Sequence, residues 1–179
     1  PIAEYPEIQF SLKMRLGWEN ASECMVLVEL LNAIRLSRIA LHARTGKQQY
    51  KGHPDLEAFQ GFYELCQHPL YYNGGIESLS DIRQILIRFP LLKGVFIGRG
   101  LLSSPLLAKE FKGNETFLPE QRMSIYFAFH EELFSAYSQV LQGETQLLVK
   151  MKTLWEYFLP ETDRKLLKRI KKSTRLQQY

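Results

Sequence analysis

Four polar motifs stand at or just past the ends of short apolar runs: Lys13-Met14-Arg15, His42-Ala43-Arg44-Thr45, Asn73-Gly74-Gly75-Ile76 and Gly98-Arg99-Gly100. An ammonium such as Lys13 at the end of an apolar strand can bond the carbonyl edge of a flavin-like ring or stabilise its reduced anion; it can equally be a surface lysine. His42, close to Arg44 and Lys47, is disfavoured as a cation, which leaves a neutral donor or acceptor for a ring or a phosphate, or a purely structural hydrogen-bonder. Asn73-Gly74-Gly75 can be an ordinary turn. Directly after a strand and before a capped helix, however, it also lets backbone N–H groups approach a phosphate with no Cβ in the way. Gly98-Arg99-Gly100 repeats that logic and adds a guanidinium able to grip phosphate in bidentate fashion. Two such motifs in tandem point to a phosphate-bearing cofactor.

The elements that must position these residues follow from the spacing. Lys13, His42, Asn73 and Gly98 stand 29, 31 and 25 residues apart, close to the roughly 30 residues of a strand, loop, helix and return loop. Strands are predicted at 8–14, 39–41, 69–72 and 94–97. Helices are predicted after Asn20 or Ser22, from Pro54-Asp55, after Ser78 or Ser80, and from Ser104-Pro105. Consecutive βα units of this kind build (β/α)8 barrels, whose active sites lie at the strands' C-terminal ends and which often bind phosphate after the last two strands. From about Asn114 no strand candidate remains, and Phe127, Leu133, Leu141, Met151, Leu154 and Phe158 provide apolar faces for three or four helices. The expected architecture is therefore α/β plus all-α. Residues 1–113 form the C-terminal half of a TIM barrel, and residues 114–179 a small helical bundle. Four units do not close an eight-stranded barrel. Either two copies complete one, or an N-terminal half is missing, and the absence of an initial Met favours the second.

Composition narrows the class. With 45% hydrophobic and 23% charged residues the chain is that of an ordinary folded protein. It has neither a membrane-length apolar run nor a signal-peptide pattern. Cys24 and Cys66 have no metal-ligand spacing and sit in helical segments, so no metal site is expected and the compartment reads as cytosolic. Residues 1–149 carry 14 Lys/Arg against 16 Asp/Glu, whereas residues 150–179 carry nine against three. That basic tail suits either a polyanionic partner or a solvated helix. Within it Lys165, Lys168, Arg169 and Lys172 follow an i, i+3, i+4, i+7 stripe, the candidate nucleic-acid face.

In order and spacing, Lys-Met-Arg-Leu-Gly at 13–17, His-Ala-Arg-Thr at 42–45 with Tyr50-Lys51-Gly52, Tyr-Asn-Gly-Gly-Ile at 72–76 and Val-Phe-Ile-Gly-Arg-Gly at 95–100 resemble the tRNA-dihydrouridine synthases. The resemblance covers about residues 8–112, and more loosely the helical tail, which is similar to that family's tRNA-binding domain. It implies an FMN enzyme that uses NADPH to reduce particular tRNA uridines to 5,6-dihydrouridine, cytoplasmic and monomeric when full length. It also implies that Lys13 and His42 contact the isoalloxazine and its surroundings, and that Asn73, Gly74, Gly75, Gly98 and Arg99 hold the ribityl phosphate. Ala43 replaces a common Gly, and Gly75 a common acidic residue. The family's general acid, a cysteine in a Gly-Cys-Pro-like stretch, has no counterpart here. No catalytic residue is therefore assigned, and the chain alone is expected to be inactive. The alternatives are an FMN barrel of the dihydroorotate or dihydropyrimidine dehydrogenase type, which has no need of a basic tail, and a non-catalytic RNA-binding module.

Overall fold

The computed structural model describes Tyr5 and residues 7–179. Those residues fall into two compact units, one ending at Gly98 and the other Arg99–Tyr179. The first unit alternates strand and helix: β1 (Ser11–Gly17), α1 (Glu23–Asn32), β2 (Arg38–Thr45), α2 (Leu56–Leu65), β3 (Leu70–Asn73), α3 (Leu79–Arg88) and β4 (Gly94–Phe96). The four strands form one parallel sheet in sequence order, as expected of consecutive βα units. The sheet's helix-facing side carries Leu16, Ile39, Leu41, Ala43 and Tyr72, all essentially buried. Phe59 of α2 meets the Tyr72 ring edge-on at 4.9 Å and the Phe89 ring at 5.0 Å, which centres the apolar layer on aromatic packing. Burial pushes the Tyr72 phenol up to about 12.

Where helices begin was legible from their capping residues. The Asp55 carboxylate accepts from the Ala58 amide at 2.9 Å to start α2. Ser78, rather than Ser80, caps α3: its hydroxyl accepts from Asp81 N while the Asp81 carboxylate accepts from Ser78 N, a reciprocal capping box. Ser22 precedes α1 but makes no side-chain cap bond. The expected first strand needs correction. The alternation of Phe10 and Leu12 suggested residues 8–14, but pairing with β2 runs from Ser11 opposite Arg38 to Gly17 opposite Thr45. The ladder with the neighbouring strand, not the local apolar pattern, sets the strand's ends.

The second unit contains α4 (Arg99–Ser103), α5 (Leu107–Gly113), α6 (Pro119–Val140), α7 (Glu144–Leu154), α8 (Arg164–Lys172) and a 3-10 turn at Leu176–Gln178. Its core is Leu106, Tyr126, Leu147, Met151, Leu154 and Phe158. Leu106, on the barrel side of the expected boundary at 113/114, thus packs with the helices that follow. Glu110 is buried and ion-paired with Arg122, whose guanidinium also reaches the Tyr126 hydroxyl, itself bonded to Ser104 at 2.9 Å. Removing one partner leaves the other charge or hydroxyl unpaired, so the cluster ties α5, α6 and the turn at Ser104 together.

Ser78→Ala removes one half of the α3 capping box and should destabilise the chain by about 1 kcal/mol, whereas Ser78→Asn retains an acceptor and most of the stability. Urea denaturation of the two variants checks this, and equal midpoints would show that the cap contributes nothing.

Candidate functional site

Parallel pairing aligns one residue from each strand in a lateral row. Arg15 lies opposite His42, His42 opposite Asn73, and Asn73 opposite Phe96. Paired residues on adjacent strands point to the same side of a sheet, and neighbouring strands lie about 4.8 Å apart. Four residues distant in sequence therefore stand side by side near the strands' C-terminal ends, on the face opposite the apolar helix layer. Two residues lower on the same face, Lys13 aligns with Ala40 and Ala40 with Tyr71. Lys13 was expected at the strand's end. It is instead in mid-strand and exposed, because β1 continues to Gly17.

His42 is almost fully buried. A Cβ added to Gly74 would sit 3.3 Å from its Cδ2 atom and 3.3 Å from the Tyr72 hydroxyl. Gly74 and Gly75 have φ of +141° and +60°, which side chains rarely adopt. The loop after β3 therefore needs glycine both for its turn and for its approach to the histidine. The Asn73 carboxamide donates to the Phe96 carbonyl at 2.7 Å and so clamps β3 to β4, with its own oxygen left as an acceptor. Arg44, almost fully buried, donates to the carbonyls of Lys51 and Gly52 at 2.7 and 2.8 Å; its charge holds down the polar loop after β2. Gly98 is exposed beyond β4 and closes the first unit, while Arg99 is half-buried and opens the second as the first residue of α4.

One organising residue escaped sequence reasoning. The Glu23 carboxylate accepts from three backbone amides, Asn20 at 2.7 Å, Trp18 at 2.8 Å and Glu19 at 2.9 Å. It gathers the loop after β1 around a single anion. Those bonds, from Asn20 first, hold its carboxyl below the ordinary value of 4.5. An acidic residue in the first turn of the next helix was the available signal.

Cys66 is half-buried at the end of α2. Cys24 is 1% exposed with its thiol on the Ala21 carbonyl, and burial pushes both thiols up. In the second unit Lys165, Lys168, Arg169 and Lys172 are exposed and together line a cleft of about 580 Å³ with Ser173, Gln177 and Gln178. Among the described residues none of the four is in an ion pair. No group of His, Cys, Asp and Glu able to hold a metal occurs among the described residues, and no helix there is long and apolar enough to cross a membrane.

The fold is an α/β one whose polar residues collect at the C-terminal ends of parallel strands. The model of the dihydrouridine synthase family matches residues 3–178, and the chain belongs to that family. It is 35% identical over 100 residues to a probable tRNA-dihydrouridine synthase of Rhizobium leguminosarum bv. phaseoli, covering 55% of this chain and 31% of that protein. To the Aquifex aeolicus probable tRNA-dihydrouridine synthase it is 35% identical over 105 residues, 59% of this chain and 33% of the relative. To the tRNA-dihydrouridine(16) synthase of Escherichia coli K12 it is 28% identical over 110 residues, 61% of this chain and 35% of the relative. The chain thus spans about a third of the length of these curated relatives.

The lowered Glu23 value gives a pH prediction with a definite sign. A depressed folded-state value stabilises the loop fully above the ordinary carboxylate value of 4.5, and that stabilisation is lost as pH falls through the lowered value. In an NMR titration the Trp18, Glu19 and Asn20 amides should move together, with one midpoint below 4.5. Glu23→Gln should abolish the shared step. Three independent midpoints would refute the single-anion description.

Proposed function

We propose that the chain is the flavin-phosphate and tRNA-binding portion of a tRNA-dihydrouridine synthase, reducing particular tRNA uridines to 5,6-dihydrouridine with FMN as cofactor and NADPH as reductant. On this reading the four βα units are half of a TIM barrel and residues 114–179 are the tRNA-binding helical domain of a monomeric cytoplasmic enzyme. The observation that carries the reading is the lateral row Arg15, His42, Asn73 with the Gly74-Gly75 turn directly after it. Polar side chains and Cβ-free backbone meet there at the strand ends, where α/β folds bind ligands. Those residues fit a flavin mononucleotide: a turn whose Gly74 and Gly75 adopt positive φ presents backbone to an anion, and the row beside it presents donors to a polar ring.

FMN, when bound, supplies the two-electron chemistry. Lys13 donates to the ring system from the face of β1, and His42, buried beneath Gly74, orients it and keeps water from its side of the site. Asn73, Gly74, Gly75, Gly98 and Arg99 hold the phosphate. The proton for uracil C5 comes from a cysteine outside these 179 residues, in keeping with the desolvation that pushes both the Cys24 and the Cys66 thiol up. Lys165, Lys168, Arg169 and Lys172 bind tRNA phosphates without reading sequence, while the target base is extruded to reach the site. The basic cleft along α8, whose four cations form no ion pair among the described residues, favours this reading over a flavin barrel acting on a small free substrate.

In the enzyme that carries this chain, Arg99→Ala should weaken FMN binding roughly 10- to 100-fold, the loss of a charge-assisted bond worth about 1.5–3 kcal/mol. Flavin titration measures it, and an unchanged dissociation constant removes Arg99 from the phosphate site. Replacing Lys165, Lys168, Arg169 and Lys172 with Gln should flatten the slope of log tRNA affinity against log salt by about three. All tRNAs should be weakened alike. Superimposable salt titrations would make the stripe a solvated face.

A further inference from the structure

A second cleft adjoins the lateral row and shares Arg15 with it. It measures about 510 Å³ and is lined by Arg15, Gly17, Trp18, Gly46 and Gln49 at the C-terminal ends of β1 and β2. Its main surface is Trp18, an indole 66% exposed to solvent. Isolated exposed apolar residues are common on proteins, but this one is seated and fixed. A Cβ on Gly46 would fall 2.3 Å from indole Cε3 and 2.8 Å from Cζ3, so the six-membered ring rests against a residue that must lack a side chain. Gly46 N donates to the Gly17 carbonyl at 2.8 Å and Lys47 N to the Trp18 carbonyl at 2.9 Å, extending the β1–β2 ladder into the loops. The Trp18 amide is held by the Glu23 carboxylate at 2.8 Å. The ring therefore packs on Gly46 on one side and its backbone is tied by hydrogen bonds, while most of its surface meets water.

Arg15 and Lys47 bring cations to its margin, beside the carboxylates of Glu19 and Glu23. The Arg15 guanidinium is in the cleft, donating to the Thr45 carbonyl at 2.8 Å. Lys47 follows Gly46 and pairs with Glu19, both side chains being more than half exposed, a pair that opens at little cost. Gln49 adds an amide able to donate and accept. An exposed aromatic surface with cations and an amide at its margin suits single-stranded nucleic acid: the ring takes a base by stacking and the cations follow the backbone.

We propose that Trp18 is a stacking platform for an unpaired nucleobase of the RNA substrate, a base next to the one that reacts, seated at the mouth of the sheet three residues past Arg15 of the Arg15-His42-Asn73 row. The inference rests on the tRNA reading above and adds to it a site on the sheet unit, separate from the basic stripe of α8. Stacking accepts any base, so the platform positions the strand rather than reading its sequence. Gly46 is part of the device, because a side chain there displaces the indole from its seat.

The test measures binding of a short unstructured oligouridylate and of tRNA to the 179-residue chain and its variants at one salt concentration. Trp18→Leu should weaken oligouridylate binding roughly five-fold or more, within the range known for loss of one aromatic–base stack. Trp18→Phe, which keeps a ring, should restore most of it. RNA should quench tryptophan emission in the Trp155→Phe chain, where Trp18 is the remaining indole. If Trp18→Leu binds both RNAs as the parent does, or if RNA leaves the emission unchanged while binding tRNA, the platform is wrong and the tRNA reading stands. If the parent chain binds no RNA, both are overturned.

Discussion

Lateral registration of four parallel strands is the constraint on which the sheet unit depends. Because β1 to β4 pair in sequence order, each joined to the next through a helix, each strand's register fixes the position of every residue on the next. A shift by one residue would send Arg15, His42 and Asn73 into the helix layer and bring Leu41 and Tyr72 out. The helix layer prevents that shift. Phe59, Phe62, Tyr72 and Phe89 are almost fully buried there, and loss of their packing is far more costly than any gain from alternative pairings. The apolar side of the sheet thus determines the polar side.

Carboxylates perform a second common task at the loops. Glu23 gathers three amides ahead of α1, Asp55 takes the Ala58 amide at the start of α2, and Asp81 takes those of Glu77 and Ser78 at the start of α3. Asp55 satisfies a first-turn donor that its helix leaves without an intrahelical partner, while Glu23 and Asp81 reach back to amides ahead of theirs. One consequence concerns the proposed phosphate site. The amides just ahead of α3 are already engaged by a side chain, so an anion beside β3 depends on the Gly74-Gly75 turn. A second consequence is rigidity at the mouth of the sheet, where the loop bearing Trp18 is ordered by its own acid rather than by a ligand.

The helical unit separates burial from charge by a different device. In α8 only Ile170 is buried, and the flanking Lys and Arg point outward. Asp163 starts the helix by accepting from the Lys165 amide, and Lys152 of α7 donates to the Ser173 carbonyl just past its end at 2.8 Å. One apolar anchor and two polar ties hold the helix while its cations remain unpaired among the described residues. A polyanion can therefore bind there without first breaking ion pairs, which suits the proposed tRNA contact.

Much of this was legible in the chain itself, because the signals are local. Asp55 and Ser78 announce helix starts through hydrogen bonds spanning three residues. The near-regular spacing of Lys13, His42, Asn73 and Gly98 reflects βα units, each completed within its own segment. The i, i+3, i+4, i+7 positions of Lys165, Lys168, Arg169 and Lys172 coincide on one surface through helical geometry alone. The family, too, was carried by motifs in order. Tertiary structure decided what depends on partners distant in sequence. It extended β1 to Gly17 and moved Lys13 to mid-strand, because a strand ends where its neighbour's hydrogen bonds end. It aligned Arg15, His42, Asn73 and Phe96, an arrangement that exists only once three interstrand registers are set. It drew Arg44 away from any ligand and onto the carbonyls of Lys51 and Gly52, and it placed Trp18 on Gly46, 28 residues further along the chain. Short-range hydrogen bonding and periodicity are written in adjacent residues; lateral alignment and the seating of one loop on another arise only when the chain has folded back on itself.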